Sequence, residues 1–273
     1  MSVKKEASGR RSVQAELEVP GTPEEVWNAI ATGPGISSWF VPTAFEEGQG
    51  KPIAMTSTFG PGIAPRSAVT AWDPPRAYAT QLDGWGGSPP IATEWNVEAR
   101  AGGVCVVRVV YSLFASTDEW DNQLEGAKSG LSGFFRTLQI YLKHFRGQYG
   151  QNMQFVGPAA GTEAQVWETL TAALGVKGLS VGQRCTAPAG VPAFSGQAEY
   201  LNRNPYDALL RLDKPGPGIA AVGTFEMGGQ IMVALGFYLY GEQAAETAAR
   251  ETPMWQAWFQ EHFPMPPETS QGG

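Results

Sequence analysis

The residues able to make or break bonds are few in this chain, and their spacing argues against most of the chemistry they could support. The two histidines, His144 and His262, stand far apart. Neither has a second imidazole or a thiol at the short spacing that a structural or catalytic zinc site uses, so no metal is expected. Each ends an amphipathic run, where an imidazole can meet the last open carbonyls of a helix. The two cysteines are Cys105 and Cys185. Cys105 lies inside the apolar run "VCVVRVVYSLF" and reads as a small buried hydrophobe. Two thiols make no disulfide framework, so the cytoplasm is the expected compartment. The glycine-rich runs "GWGGSPP", "FGPGIAP" and "KPGPGIA" invite a phosphate-loop reading. None opens a helix with Lys-Ser/Thr, and their prolines remove amide donors that a phosphate would need. They read as hairpin loops. Serine-hydrolase, zinc and P-loop chemistries all lack their residues, and no cofactor is expected.

Composition narrows the classes further. The chain has 273 residues, 42% hydrophobic and 16% charged, with a net charge of −7. That length suits one large domain or two ordinary ones. No stretch approaches the roughly 18 uninterrupted apolar residues of a membrane-spanning helix. The opening "MSVKKEASGRRS" is basic and lacks the apolar core of a secretory leader. An acidic chain without a long basic patch does not fit non-specific nucleic-acid binding.

The elements repeat in order. "RRSVQAELEVP" alternates Val13, Ala15, Leu17 and Val19 with polar residues, as a half-buried strand does. "TPEEVWNAIATGPGISSWF" then opens a short helix, with Thr22 as N-cap, Pro23 at the first position and two glutamates in the first turn. Gly33-Pro34-Gly35 is read as a sharp turn leading to the apolar pair Trp39-Phe40. Strands follow near 53–59, 66–72, 76–82, 92–99 and 104–114. In the last of these Cys105, Val107, Val109, Tyr111 and Leu113 share one face. The half closes with an amphipathic helix of about 28 residues, capped at Ser116 or Thr117. Its apolar stripe holds Trp120, Leu124, Ala127, Leu131, Phe134, Phe135, Leu138, Leu142 and Phe145, opposite residues such as Lys128 and Lys143.

The second half runs through the same plan. "NMQFVGPAAGT" replaces the first strand, and Val166-Trp167 follows 140 positions after Val26-Trp27. Strands are expected near 183–187, 196–202, 207–213, 219–227 and 230–240. A last helix runs from Pro253 to Phe263, whose His262-Phe263 ending matches His144-Phe145. A common order of matches points to a duplication, with domains at 1–147 and 148–273. The last helix, at about 12 residues, spans roughly 18 Å. With a final strand apolar on both faces, that implies a degenerate second copy packed broadly on the first.

Strand, short helix, meander and long closing helix make an α+β plan. It resembles the helix-grip fold of the START/Bet v 1-like superfamily (SRPBCC proteins), a curved antiparallel sheet wrapped on a long C-terminal helix, here duplicated. "VPGTPEEVWNAIATGPGISSWFVP" is similar to the signature of the AHSA1 group, the activator-of-Hsp90-ATPase homologues. "YSLFASTDEWDNQLEGAKSGLSGFFRTLQIYL" resembles that group's last strand and helix. The resemblance covers residues 10 to 147 and is weaker beyond. It implies a V-shaped pair of short helices closing the sheet, with Trp27 anchoring the first and Trp39 with Phe40 the second.

The resemblance also implies a cavity between sheet and helix. Its candidate lining is Trp39, Phe40, Phe59, Val69, Tyr78, Trp95, Val107, Tyr111, Phe134, Phe135 and Leu138. The leading reading is a binding protein for a small hydrophobic molecule, with no catalytic residue evident. A polyketide cyclase or dehydratase is the alternative, and would use Tyr78 or Tyr111 as its acid–base group. A chaperone-regulating partner of the Hsp90 type is the third reading, and a homodimer is compatible with any of them. No nucleic acid or membrane partner is expected.

Overall fold

The computed structural model describes residues 3–60, 62–84, 88–115, 117–203 and 206–264. The chain divides into two compact units, Met1–Tyr149 and Gly150–Gly273. In the first, β1 (Lys4–Lys5) and β2 (Arg10–Pro20) lead to α1 (Pro23–Ile30) and α2 (Gly33–Ser37). The meander β3 (Thr43–Gly48), β4 (Lys51–Ser57), β5 (Arg66–Asp73), β6 (Ala77–Leu82), β7 (Ile91–Arg100) and β8 (Val104–Phe114) follows, and α3 (Asp121–His144) closes the unit. Its eight strands lie in the order β1-β2-β8-β7-β6-β5-β4-β3, all antiparallel. α3 lies mainly against β2. A curved antiparallel sheet gripping one long helix is the helix-grip architecture.

The second unit holds β9 (Gln151–Ala159), α4 (Glu163–Ala173), β10 (Arg184–Thr186), β11 (Ser195–Arg203), β12 (Tyr206–Lys214), β13 (Gly218–Met227), β14 (Gln230–Leu239) and α5 (Ala244–His262). Its strand order is β10-β11-β12-β13-β14-β9. In both units the first long strand pairs with the last strand of the meander.

The first helices start by one device. The Thr22 hydroxyl accepts from the Glu25 amide while the Glu25 carboxylate accepts from the Thr22 amide, a capping box. Thr162 and Gln165 reproduce it at α4. Val26 and Trp27 in one unit, and Val166 and Trp167 in the other, are then turned inward and buried.

Four expectations need correction. Gly33-Pro34-Gly35 is not the turn between helices; it forms the first turn of α2, which Thr32 caps through the Gly35 amide. Proline is tolerated there because its missing donor would be unsatisfied anyway. The glycines serve close approach, since a Cβ on Gly35 would stand 1.9 Å from the Asn28 carbonyl oxygen. Trp39 and Phe40 lie just beyond α2. Second, β3 is a strand that alternation does not reveal: "TAFEEG" carries two glutamates, as suits a sheet edge. Third, α3 is shorter than expected, with 24 residues, because Asp118–Trp120 form a 3-10 turn first. Thr117 caps that turn only by position, with no side-chain hydrogen bond.

The fourth correction concerns α5, which has 19 residues and runs through Pro253 rather than starting there. The stretch "AAETAARE" before it consists largely of strong helix formers. Proline strips the Ala249 carbonyl of its helical donor, but Ala249 and Pro253 are both exposed to solvent. The argument for degeneracy from a short last helix therefore falls. Ser116, Trp85, Gly86 and Gly87, and the side chains of Ala127, Lys128 and Leu131, lie outside the described residues.

Candidate functional site

The first unit contains a cavity of about 60 Å³ between sheet and helices. α1 and α2 supply Ile30 and Ile36, and the turn after α2 supplies Trp39 and Phe40. Met55 and Ser57 come from β4, Tyr78 from β6, Trp95 from β7, and Phe134 with Phe135 from α3. At about 15 Å³ per water, that space holds about four waters.

The wall is aromatic and continuous. Tyr78 and Trp95 stack at 6.0 Å with planes 4° apart, and Trp95 meets Phe135 at 5.9 Å and Trp39 at 6.4 Å. Behind Tyr78 the ladder runs on to Trp27 at 5.8 Å and Trp72 at 5.7 Å. Trp27 thus anchors α1 against two rings of the sheet.

The polar atoms of Trp39 and Tyr78 are already engaged. The Trp39 Nε1–H donates to the Ala29 carbonyl at 2.9 Å, and the Tyr78 hydroxyl donates to the Ile30 carbonyl at 2.8 Å. Both acceptors sit in the last turn of α1, where a helix leaves carbonyls without partners. The Ser57 hydroxyl shares a hydrogen bond of 3.1 Å with Thr43. Burial pushes the Tyr78 pKa far above the ordinary phenolic value.

Of the eleven candidates, the structure gathers six around this space: Trp39, Phe40, Tyr78, Trp95, Phe134 and Phe135. Phe59 lies just past the end of β4, packs its ring 5.7 Å from Phe40 and stays 42% exposed. Val69 is half-buried on β5 and does not line the cavity. Val107 and Leu138 are packed core residues with no exposure. Tyr111 packs elsewhere, with Val3, Val13, Leu113 and Leu124, and burial raises its pKa too. Face alternation assigns a residue to the inner side of a sheet, but it does not say where the helix touches that side and where it stands off. Met55 and Ser57 were missed, though they stand four and two positions before Phe59 in the strand expected near 53–59. Ile30 and Ile36 were missed as well.

The remaining chemical residues are occupied structurally. Cys105 donates to the Gly21 carbonyl at 3.3 Å and both thiols are buried and free. His262 Nδ1 lies 2.8 Å from the Trp258 carbonyl at the end of α5. Among the described residues, no group of three His, Cys, Asp or Glu side chains is placed to hold a metal ion. No helix among them is long and apolar enough to cross a membrane.

Residues 10–139 match the family model described as "Polyketide cyclase / dehydrase and lipid transport". No curated protein matches the chain. Among solved structures, it is similar to the di-domain ARO/CYC BexL of the BE-7585A biosynthetic pathway. The two are 13% identical over 94% of this chain and 100% of that one, with a TM-score of 0.45. DynU16, from the dynemicin biosynthetic locus, is 17% identical over 90% and 94%, with a TM-score of 0.42. The Aha1 dimer from Colwellia psychrerythraea is 18% identical over 50% of this chain and 98% of that one, at 0.39. The family match runs from β2 into α3, and the helix-grip strand order is found in the same residues.

Proposed function

We propose that the first unit binds a small hydrophobic molecule in the cavity bounded by α1, α2, the sheet and α3. One observation carries the reading: the wall is almost wholly apolar, and the polar atoms of Trp39, Tyr78 and Ser57 on it are hydrogen-bonded within the protein. Such a site favours apolar surface over water and offers a polar ligand little in return. We also propose that the chain is a tandem of two SRPBCC-like domains, 1–147 and 148–273, on the strength of the shared strand order and matching capping boxes. Placement within the AHSA1 group rests on the stretch around Trp27 and Trp39.

Titration of the full chain with the neutral fluorophore N-phenyl-1-naphthylamine tests the binding reading. Saturable one-to-one binding is expected, weakened about tenfold or more in Met55→Trp, whose larger ring fills the space. Absence of binding, or binding indifferent to Met55→Trp, would overturn it. The cyclase or dehydratase reading has one observation in its favour, since the Tyr78 ring lines the cavity within the matched region. Its raised pKa keeps the hydroxyl protonated at neutral pH, so it would serve as a donor rather than a base. Turnover of a cyclisable polyketide, lost in Tyr78→Phe with probe binding retained, would establish that reading.

A further inference from the structure

We infer that the cavity selects neutral, flat aromatic molecules and that the ring of Phe134 is the gate through which they enter; this rests on the binding reading above. The cavity holds about 60 Å³, whereas a dry apolar cavity that admits a benzene ring is roughly 150 Å³. A ring-sized ligand therefore needs part of the wall to move.

The inner wall is the wrong part to move. Ile30, Ile36, Trp39, Tyr78 and Phe135 are all buried, and two of them are pinned by hydrogen bonds to the last turn of α1. The outer wall is different. Phe134 is 37% exposed although it lines the cavity, and it meets Phe40 edge to face at 4.4 Å. Phe59, also exposed, packs edge to face on Phe40 at 5.7 Å. Each of these rings is held by apolar contacts and has no polar atom to anchor it.

The helix also leaves Phe134 somewhere to go. A helical side chain leans toward the N-terminus, over the residue four positions earlier. That residue is Gly130. Gly130 is exposed, and among the described residues outside the helix's own backbone a Cβ placed on it would meet only the Phe134 ring within 4 Å, at 3.9 Å. The ring already lies beside Gly130, and its rotation away from Phe40 into solvent enlarges the cavity and opens it in one movement.

The class of ligand follows from the same walls. Offset and edge-to-face contacts with Trp39, Phe40, Trp95 and Phe135 favour a planar ring. Among the described residues no charged side chain lines the space, so a charged group on the ligand would be desolvated without compensation.

Stopped-flow fluorescence on the full chain reads the gate directly. N-phenyl-1-naphthylamine is expected to associate about tenfold faster with Phe134→Ala and about tenfold slower with Gly130→Leu. Gly130→Ala, which strengthens the helix while crowding the ring only slightly, should fall between wild type and Gly130→Leu. Its place in that order separates gating from unfolding. The anionic relative 8-anilinonaphthalene-1-sulfonate should bind the wild type at least tenfold more weakly. Equal association rates in all four proteins would overturn the gate, and equal affinity for the two probes would overturn the neutral class; both leave cavity binding standing. Failure of the neutral probe to bind wild type at all would remove the binding reading itself.

Discussion

The two units share a strand order and a helix cap, yet their interiors are built to opposite ends. α3 and α5 both finish in a phenylalanine at φ −132°, and its amide donates to the carbonyl four residues back, Tyr141 in one and Phe259 in the other. Counting back twelve and eight positions from those caps, α3 carries Gly133 and Thr137 where α5 carries Glu251 and Trp255. Trp255 has no exposed surface and packs 4.5 Å from Phe237 and 6.0 Å from Phe194. The first unit keeps small residues at these helix positions and has a cavity under the same helix; the second puts an indole there. The same frame thus surrounds a cavity in one unit and carries a fully buried indole in the core of the other.

The filling has a polar cost. The indole nitrogens of Trp255 and Trp258 and one carboxylate oxygen of Glu251 are buried without a hydrogen-bond partner among the described residues. Unmade bonds of this kind cost about 1–3 kcal/mol each, so the second core gains from burial what it partly gives up in polarity.

Trp255→Ala should lose about 3–5 kcal/mol in thermal or urea unfolding, because a fully packed indole leaves a large hole. A loss under about 1 kcal/mol would mean that the second core is not packed on it. Phe135→Ala should cost less, about 2–3 kcal/mol, since its ring already borders open space, and it should also change probe uptake. A cost equal to that of Trp255→Ala would erase the distinction between the two interiors.

The caps should behave alike. Thr22→Ala and Thr162→Ala are each expected to cost about 1 kcal/mol, and clearly unequal values would show that the two starts are not equivalent devices. The smallest effect is electrostatic and belongs to the first unit. Lys5 and Arg11 sit within 3.0 Å of Asp118 and Asp121 at the start of α3. Hydrogen bonds from Lys5, aided by Arg11, hold both carboxyl groups below their ordinary value of 3.8. A carboxylate lowered on folding contributes stability above that ordinary value, and the contribution is lost as pH falls through the lowered one. The melting-temperature gap between wild type and Asp121→Asn should therefore be present at pH 7 and close in strong acid. A gap that stays constant across that range would refute the pairing as its source.

Much of the frame was legible before any coordinates. Alternation found β2, β7 and β8, the three-and-four spacing found α3, and Thr22 with Pro23 marked the start of α1. These signals are local: a strand face repeats every two residues, a helix face every three or four, and a cap is decided within one turn. The matching order in the second half was readable for the same reason. Tertiary structure decided the rest. It made "TAFEEG" an edge strand against β4, carried α5 through Pro253, and used Gly35 for close contact with α1 rather than for a turn. It also divided the apolar residues of one face between wall and core, placing Tyr78 and Trp95 on the cavity and Tyr111 and Val107 off it. Whether an inward side chain meets a helix or empty space depends on sheet curvature and helix position, which are set by contacts between residues distant in the chain, and no local periodicity encodes them.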